Sequence, residues 1–173
     1  GFVSRGLGDV YKRQCMNNDA ISRLIRTYPD FPKPGILFYD VSSIIENVQG
    51  LRLVVESLTQ AVEEKKPDVL AAIESRGFLF APPVALACDI GVVLVRKFGK
   101  LPGDTLDQSY GLEYGEDVLS IQKDRQLQGQ KVLIVDDLLA TGGTLAATET
   151  LLEKAGAIVL GSTVIIELDG LKG

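Results

Sequence analysis

The sequence predicts an α/β fold in which a mostly parallel, twisted sheet is flanked by helices. Continuous apolar runs at 69–73, 92–95 and 132–135 are typical of strands that are covered on both faces. Segments of helical period lie between these runs, and such alternation of strand and helix favours a parallel sheet. The length of 173 residues, 46% of them hydrophobic, suffices for one core but hardly for two. We therefore expect a single domain over residues 17–173.

Three local patterns define the elements. Apolar residues three and four apart predict helices, continuous apolar runs predict strands, and proline or glycine clusters predict irregular segments. Pro67 and Gly156 each end a helix. In chain order, we expect a helix at 19–28, an apolar segment at 36–38, a helix at 51–66, a strand at 69–73, a helix at 78–88, strands at 92–95, 118–121 and 132–135, a helix at 144–155 and a strand at 159–166. The stretch YPDFPKPG before residue 36 and the glycine-rich residues 97–117 are expected to be irregular.

Residues 1–16 show no helical or strand period. Their opening, GFVSRGLGDVYKRQ, lacks the apolar core of about 7–15 residues that a signal peptide carries. We expect a foreign or disordered leader here, and the alternative is a native N-terminal arm. No apolar run in the sequence reaches the roughly 18 residues that a membrane span needs.

The composition excludes several kinds of site. The formal net charge is −5, whereas general nucleic-acid binding relies on a basic surface. The chain has no histidine, which excludes Ser-His-Asp and Cys-His catalysis and histidine-ligated zinc. Cys15 and Cys88 do not form a CxxC pair, which favours a reduced, cytoplasmic protein. An acidic chain that handles phosphates would need a local site, and we expect a metal to assist it.

The strand ends are where we look for that site, because ligands of such sheets bind at the carboxyl ends of the strands. In VLIVDDLLATGGT, residues 132–144, a strand leads through Asp136 and Asp137 into a glycine-rich turn and a helix. Glycine lets the backbone approach an anion, and the first N–H groups of a helix attract one. The segment therefore predicts a site for a phosphate monoester, with Thr141 and Thr144 as hydroxyl donors.

The two aspartates of this segment are expected to differ in role, because neighbouring residues of an extended stretch point to opposite sides. One or both could bind ribose hydroxyls or a hydrated Mg²⁺. No lysine follows the glycines, so the segment is not a Walker loop. The alternative interpretation is an acidic turn followed by an ordinary helix N-cap.

Cations follow the two other strands. Arg76, after the strand at 69–73, offers forked donors that suit pyrophosphate oxygens, although it could also be a surface arginine at a helix start. The cluster after the next strand comprises Arg96, Lys97 and Lys100. It is either solvated or placed to stabilise a departing pyrophosphate. Residues 98–117 are long for a connection in a compact domain, which predicts a lid.

These segments resemble those of the type I phosphoribosyltransferases, in an order that covers residues 18–172. The loop at 132–144 is similar to their phosphoribosyl pyrophosphate loop, and its form LLATGGT resembles the adenine phosphoribosyltransferases in particular. ESRGFLF at 74–80 resembles their pyrophosphate loop, with a non-proline cis peptide implied at Glu74–Ser75. RKFGKLPGDT at 96–105 and YGLEYG at 110–115 resemble their mobile catalytic loop, and FPKPGILF at 31–38 resembles the start of a small N-terminal hood over the base.

The resemblance implies a homodimeric enzyme that converts phosphoribosyl pyrophosphate and adenine into AMP and pyrophosphate in purine salvage, with Mg²⁺ bound alongside phosphoribosyl pyrophosphate. Glu113 in the lid is implied as the acceptor of the adenine proton, and Arg76 and Lys100 as further catalytic residues. The implied substrate-binding residues are Asp136, Asp137, Ala140, Thr141, Gly142, Gly143, Thr144, Arg96, Tyr114, Ile36, Leu37 and Phe38. Arg96 is implied to reach a site across the dimer interface. Phe38 either stacks on the base or belongs to the core.

The sequence departs from the family pattern at two places. Tyr39 stands where many relatives carry arginine, which affects how the hood closes. The sequence ends at Gly173, where the family continues with a short segment, so we expect a C-terminally truncated domain.

Other functions stay open at this point. A phosphoribosyltransferase could use the same phosphate loop with another base, and a non-catalytic regulator of this fold could sense phosphoribosyl pyrophosphate. The presence of Arg76 and Glu113 argues against the regulator. A pyrophosphate-transferring synthetase shares a similar loop, but its chain is much longer.

Overall fold

The computed structural model describes residues 19–112, 115–139 and 142–167. The expected leader and the expected site residues Glu113, Tyr114, Ala140 and Thr141 lie outside these ranges. The chain forms two compact units, Gly1–Ser57 and Leu58–Gly173. Within the described ranges, no helix has the length and apolar character to cross a membrane.

The first unit contains a two-stranded antiparallel sheet. Its elements are helix α1 at 19–24, strands β1 Arg26–Pro29 and β2 Leu37–Asp40, helix α2 Ser42–Ile45 and the beginning of helix α3 Val48–Lys65. The predicted helix at 19–28 is wrong in its last part, where β1 pairs with β2. Tyr28 precedes a proline, which disfavours the helical backbone, and Thr27 and Tyr28 both favour strands.

The turn between β1 and β2 is held by its own groups. Asp30 accepts a hydrogen bond on Oδ1 from the N–H of Gly35 at 2.7 Å. The N–H of Phe31 donates to the carbonyl of Ile36 at 3.2 Å, and the N–H of Ile36 donates to another carbonyl of the turn. The rings of Phe31 and Phe38 meet edge to face with centroids 5.1 Å apart, which is a favoured arrangement of two aromatic rings. Both backbone groups of Ile36 are therefore engaged within the turn.

The second unit contains a six-stranded sheet in the order β5-β6-β4-β3-β7-β8. Its elements are β3 Val69–Ile73, α4 Gly77–Ala87, β4 Gly91–Lys97, β5 Thr105–Leu112, β6 Gly115–Gln122, β7 Lys131–Leu139, α5 Gly143–Lys154 and β8 Ile158–Glu167. Strands β4, β3, β7 and β8 are parallel, and β6 and β5 add an antiparallel hairpin to the edge. The predicted α/β class, with a mostly parallel sheet and helices, is confirmed.

Two predictions in this unit are wrong in extent. Most of the expected irregular segment 97–117 is the hairpin of β5 and β6, because Leu106 and Tyr110 alternate onto a face that packs against the core. The glycines of this segment concealed that alternation. Strand β7 also continues past Val135 to Leu139, since β8 pairs with it along that length.

The core of the second unit lies around the central strands. The four residues from Leu70 to Ile73 of β3 are all buried, as expected for a strand covered on both faces. The helices contribute fully buried side chains from their inner faces, namely Phe80 and Val84 of α4 and Leu151 and Leu152 of α5. Because β3, β4 and β7 are parallel neighbours, their carboxyl ends meet at one edge of the sheet.

Gly77 permits the close approach of α4 to that edge. A Cβ atom at this position would lie 2.7 Å from the carbonyl oxygen of Val135 and 3.5 Å from Cα of Asp136. The first contact is closer than real Cβ atoms tolerate, and both partners are backbone atoms that cannot rotate away. Glycine is therefore required for steric reasons where α4 begins against β7.

We predict that Gly77→Ala destabilises the protein by about 1–3 kcal/mol, the usual cost of forcing an extra carbon into a packed region. Urea unfolding followed by circular dichroism measures the change. The matched control is Gly91→Ala, whose new Cβ would meet only a Val69 methyl group at an ordinary 3.9 Å. Equal stability of the two variants would contradict the steric role of Gly77.

Candidate functional site

A pocket of about 460 Å³ lies at the carboxyl ends of the parallel strands. It combines acidic, basic and hydroxyl side chains with the beginning of a helix, as expected of a site for a polar, charged ligand. Its described lining is Glu74, Ser75, Arg76, Lys97, Tyr110, Leu119, Asp136, Asp137, Leu138, Gly142, Gly143, Thr144 and Leu145. We call this the central pocket.

The connection from β3 to α4 supplies the central pocket with a cation. The peptide between Glu74 and Ser75 is cis, as the resemblance implied. Arg76 stands at the N-terminal boundary of α4, and its Nε lies 2.9 Å from Oδ2 of Asp137. The Asp137 side chain is only 5% exposed, and its Oδ2 has no aligned hydrogen bond, so the contact is an ion pair. The pair fixes the guanidinium beside the end of β7.

The two neighbouring aspartates of β7 have different surroundings. Asp136 accepts a hydrogen bond on Oδ1 from the N–H of Asp137 at 2.9 Å. Burial is the main cause that raises the pKa of Asp136 to about 7, and the negative charge of Asp137 adds to it. Arg76 and the hydrogen bond from Asp137 act in the opposite direction but do not outweigh burial. Asp136 is thus poised between its protonated and ionised forms near neutral pH.

The beginning of α5 forms another part of the pocket lining. Gly142 caps the helix with φ +82°, a left-handed conformation that glycine adopts without strain. Gly143 and Thr144 open the first turn, where backbone N–H groups have no partner within the helix. These donors and the positive end of the helix dipole suit an oxyanion.

Glu74, which follows β3, binds the end of β4 at the carboxyl edge of the sheet. Its carboxylate accepts a hydrogen bond from the N–H of Lys97 at 2.9 Å and contacts Nε of Arg96 at 3.3 Å. Arg96 also donates to the carbonyl of Lys100 at 3.0 Å. Burial opposes ionisation, but the bond from Lys97 and the Arg96 side chain together lower the pKa of Glu74 below its usual value.

The three predicted cations Arg96, Lys97 and Lys100 differ in their relation to the central pocket. Lys97 lines the central pocket, whereas the described lining contains neither Arg96 nor Lys100. Arg96 is instead held by partners in its own chain, Glu74 and Lys100. Lys97 belonged to the predicted cluster, but the sequence offered no reason to single it out.

Sequence reasoning missed a polar network on the hairpin side of the pocket. Tyr110 donates to Oδ2 of Asp117 at 3.1 Å, and Nζ of Lys97 lies 2.9 Å from the same oxygen. The bond with Asp117 is the main cause that raises the pKa of Lys97, and the bond from Lys97 is the main cause that lowers the pKa of Asp117. Burial is the main cause that raises the pKa of Tyr110. The period-two alternation around Leu106 and Tyr110 was the signal that could have revealed this network.

The predicted base-contacting residues lie in the first unit. Ile36 and Leu37 are exposed, and Phe38 is half-buried in β2 against Phe31. Phe38 therefore already has one aromatic neighbour. Tyr39 follows it in β2 and is also half-buried.

The acidic groups fit a magnesium ion that arrives with its ligand. Among the described residues, no three histidine, cysteine or acidic side chains are grouped so that they could hold a metal by themselves. Of the two aspartates of β7, Asp137 is engaged with Arg76, which leaves Asp136 to contact a hydrated ion. Mg²⁺ keeps several waters and often binds through one or two carboxylates together with substrate phosphates.

Comparison with known proteins gives consistent results. The phosphoribosyl transferase domain family matches residues 40–171. The adenine phosphoribosyltransferase of Gluconacetobacter diazotrophicus is 55% identical over 149 residues, which cover 86% of this chain and 85% of that protein. The enzyme of the same name from Rhodospirillum rubrum is 54% identical over 149 residues, with 86% and 87% covered.

Solved structures show the same similarity. Adenine phosphoribosyltransferase from Saccharomyces cerevisiae, complexed with an imino-altritol bisphosphate and adenine, superposes with a TM-score of 0.88 at 40% identity and covers 92% of this chain and 93% of its own. The protein of that name from Trypanosoma brucei, in complex with AMP, pyrophosphate and ribose-5-phosphate, superposes with a TM-score of 0.82 at 26% identity. The coverage there is 91% of this chain and 70% of the other.

We predict that Asp136→Asn stabilises the protein considerably more at pH 8 than at pH 5. Folding raises the pKa of this carboxyl. Between about pH 4 and 7, the folded protein therefore keeps a proton that the unfolded chain has already lost. Wild-type stability therefore falls as the pH rises through that window, and asparagine removes the fall. After allowance for partial exposure, the expected gain at pH 8 is on the order of 1–3 kcal/mol, roughly 3–10 °C in Tm.

Thermal unfolding at the two pH values measures this difference. Asp124→Asn is the control, because the Asp124 side chain is 76% exposed. A gain for Asp136→Asn of the same size at both pH values would show that the buried charge is not its cause.

Proposed function

The chain belongs to the adenine phosphoribosyltransferases, and we propose that it transfers the 5-phosphoribosyl group of phosphoribosyl pyrophosphate to adenine, giving AMP and pyrophosphate in purine salvage. The observation that carries the proposal is the central pocket. It brings the N-terminus of α5 into one lining with Arg76, Lys97 and Asp136. A ligand with a phosphate at one end and a pyrophosphate at the other has the matching distribution of charge.

The phosphate would bind at the beginning of α5. Gly142 and Gly143 allow close approach of the backbone, and Thr144 adds a hydroxyl donor. The family resemblance extends this site to Ala140 and Thr141. Asp136 would accept hydrogen bonds from the ribose hydroxyls.

The pyrophosphate would bind at the loop after β3 and the end of β4. Arg76 offers a forked donor set, and Asp137 holds it in place through the 2.9 Å ion pair. Lys97 adds a second positive charge from the end of β4. By resemblance, Lys100 and the Arg96 of a second copy complete this cationic environment. Positive charge here stabilises the negative charge that develops on the departing group.

The reaction exchanges one bond at C1′ of the ribose for another. The C1′–O bond breaks and its electron pair leaves with pyrophosphate, while a ring nitrogen of adenine forms the new C1′–N bond. That nitrogen must lose its proton, and we assign Glu113 as the acceptor and Tyr114 as its neighbour in the lid. A carboxylate brought in by lid closure suits general-base catalysis.

Magnesium would bind together with the pyrophosphate. When bound, the ion would supply positive charge to the pyrophosphate oxygens, with Asp136 holding it through water. The protein's own contribution is to position the phosphate ends and the ribose hydroxyls around it.

Adenine recognition is assigned to the backbone of Ile36 and Leu37 and to the ring of Phe38. A backbone has a fixed order of donors and acceptors, so it can discriminate a 6-amino from a 6-oxo purine. The N–H of Ile36 is engaged within its turn, whereas its carbonyl oxygen keeps a second lone pair. The carbonyl oxygen of Ile36 could therefore still accept a hydrogen bond from the base.

We further propose a homodimer in the reduced environment of the cytoplasm. Exposed apolar side chains on α4 and β4, among them Leu86 with 84% exposure and Leu94 with 43%, support an interface with a second copy. Cys88 is a free thiol, as expected of a cytoplasmic protein.

We predict that the purified protein with Mg²⁺ and phosphoribosyl pyrophosphate converts adenine into AMP with a kcat/KM about 10²–10⁴-fold above those for hypoxanthine and guanine. The wrong base would leave buried polar groups unpaired. Chromatographic detection of each nucleotide measures the three values.

Gly142→Val is the control for this assay, because a valine would be strained at φ +82° and would fill the phosphate site. It should abolish phosphoribosyl pyrophosphate binding. Similar values for adenine and a 6-oxopurine would overturn the adenine assignment, and the absence of every nucleotide product would overturn the transferase.

We predict that Glu113→Gln lowers kcat by about 10²–10⁴-fold with little change in KM, because a general base acts mainly in the transition state. Steady-state kinetics with adenine as the varied substrate measure the two constants. Glu116→Gln removes another carboxylate of the same hairpin and should leave both constants within about threefold. If kcat of Glu113→Gln falls less than about threefold while KM rises, Glu113 binds substrate but does not accept the proton.

A further inference from the structure

Lys97 brings a positive charge into the central pocket, but its counter-ion lies outside the described lining. Nζ of Lys97 lies 2.9 Å from Oδ2 of Asp117, and the described lining contains Lys97 without Asp117. The pair of Arg76 with Asp137 is different, because both of its side chains line the pocket. Asp117 therefore acts on a ligand of the pocket through its charge and through Lys97, not by direct contact.

The carboxylate of Asp117 is also held by groups other than Lys97. Its Oδ2 accepts a hydrogen bond from the phenol of Tyr110 at 3.1 Å, and its Oδ1 accepts one from the N–H of Val118 at 3.2 Å. Tyr110 is the residue directly opposite Asp117 in the pairing of β5 with β6, and it packs against the core of the second unit. Hydrogen bonds to a carboxylate favour its ionised form. A fixed negative charge thus stays beside Lys97 when an anion binds there.

Two effects of Asp117 on anion binding oppose each other. It restrains the Lys97 side chain before a ligand arrives, which strengthens binding by about two- to tenfold for one flexible side chain. It also repels the ligand. A doubly charged anion that accepts a hydrogen bond from Lys97 would lie about 6 Å from the carboxylate, and the repulsion corresponds to about tenfold in affinity even at the dielectric constant of water.

The two effects can be separated at Asp117 because an amide keeps part of what a carboxylate provides. The oxygen of an asparagine could still accept hydrogen bonds from both Lys97 and Tyr110, which now share a single oxygen of Asp117. Restraint of Lys97 is therefore largely retained, whereas the repulsion is removed. The Lys97 side chain is 54% exposed, so salt screens part of that repulsion and the remaining effect is about three- to tenfold.

We propose that Asp117 limits the affinity of the site for pyrophosphate by compensating the charge of Lys97, so that this product can leave. The inference rests on the proposed function, because it takes pyrophosphate to bind beside Lys97. It adds a residue that weakens binding to those that provide it. Release of a tightly held product can limit turnover, which gives such a residue a use in the reaction.

The test is Asp117→Asn. Calorimetry with magnesium pyrophosphate should show binding about three- to tenfold tighter than in wild type. The inhibition constant of pyrophosphate as a product should fall by the same factor, and kcat should not rise. The KM for adenine, which carries no charge, should stay within about twofold of wild type.

Salt distinguishes an effect of charge from a change in the shape of the pocket. The screening length of water falls from about 20 Å at about 0.02 M salt to about 4 Å at about 0.5 M. The ratio of the wild-type Kd to that of Asp117→Asn should therefore be at least about twice as large at the lower concentration. A rearranged pocket would keep the same ratio at both.

Asp107→Asn is the matched control for the change in net charge. Asp107 lies in the same hairpin and also has a hydroxyl partner, because Ser120 donates to it at 2.6 Å. Asp107 and Tyr110 are three residues apart in β5, so their side chains lie on opposite faces of the strand. Asp107 is not part of the described lining. This variant should bind magnesium pyrophosphate within about twofold of wild type.

Asp117→Ser is a second uncharged variant, for the case that the amide group of asparagine disturbs the N–H of Val118. It should also bind magnesium pyrophosphate more tightly than wild type, and thermal unfolding shows that each variant is folded. Weaker binding in both uncharged variants would mean that Asp117 serves mainly to position Lys97, which overturns the inference.

Three further outcomes would overturn it. They are pyrophosphate binding by Asp117→Asn within about twofold of wild type, an equal gain in Asp107→Asn, and a gain that is the same at both salt concentrations. Failure of the proposed function has a different signature, because wild type itself would then bind neither magnesium pyrophosphate nor phosphoribosyl pyrophosphate. The same calorimetric series distinguishes the two failures.

Discussion

The close packing of α4 against the end of β7 is the constraint on which the site depends. Gly77 has no side chain where a Cβ would meet the carbonyl of Val135 at 2.7 Å. This contact places the start of α4 beside the aspartates of β7, so that Arg76 meets Asp137 at 2.9 Å. The parallel pairing of β3 with β7 brings the two loops to the same edge, and the missing side chain sets their separation. The absence of a side chain at Gly77 thus allows the ion pair between Arg76 and Asp137 to form at the pocket.

The charges of this edge are largely compensated within the protein. Arg76 pairs with Asp137, Arg96 with Glu74 and Lys97 with Asp117. Each cation is therefore held in place before a ligand arrives, which reduces the ordering that binding must achieve. The pKa of about 7 at Asp136 keeps a further negative charge from being permanent beside the pairs. An acidic chain can in this way present a site for a multiply charged anion without a large basic surface.

The elements that could be predicted from the sequence are those that depend on residues close together in the chain. Strand 69–73 and the helix after Gly142 were predictable because apolar runs and glycine turns act over a few residues. The strand at 26–29 was not, because its stability comes from pairing with 37–40. The network of Tyr110 with Asp117 was missed for the same reason. Its members are joined by cross-strand register, and the sequence signals that register only through the weak period-two alternation around Leu106 and Tyr110.

The β5–β6 hairpin also limits how this part of the chain can change in length. Register partners run without interruption from Thr105 with Gln122 to Leu112 with Gly115, and only Glu113 and Tyr114 stand between the two arms in the sequence. Removal of one residue from either arm would turn every following side chain of that arm to the opposite face. A removal in β5 ahead of Tyr110 would take this side chain out of the core and the pocket together. Insertions and deletions among homologues should therefore concentrate in 98–104, ahead of the paired arms.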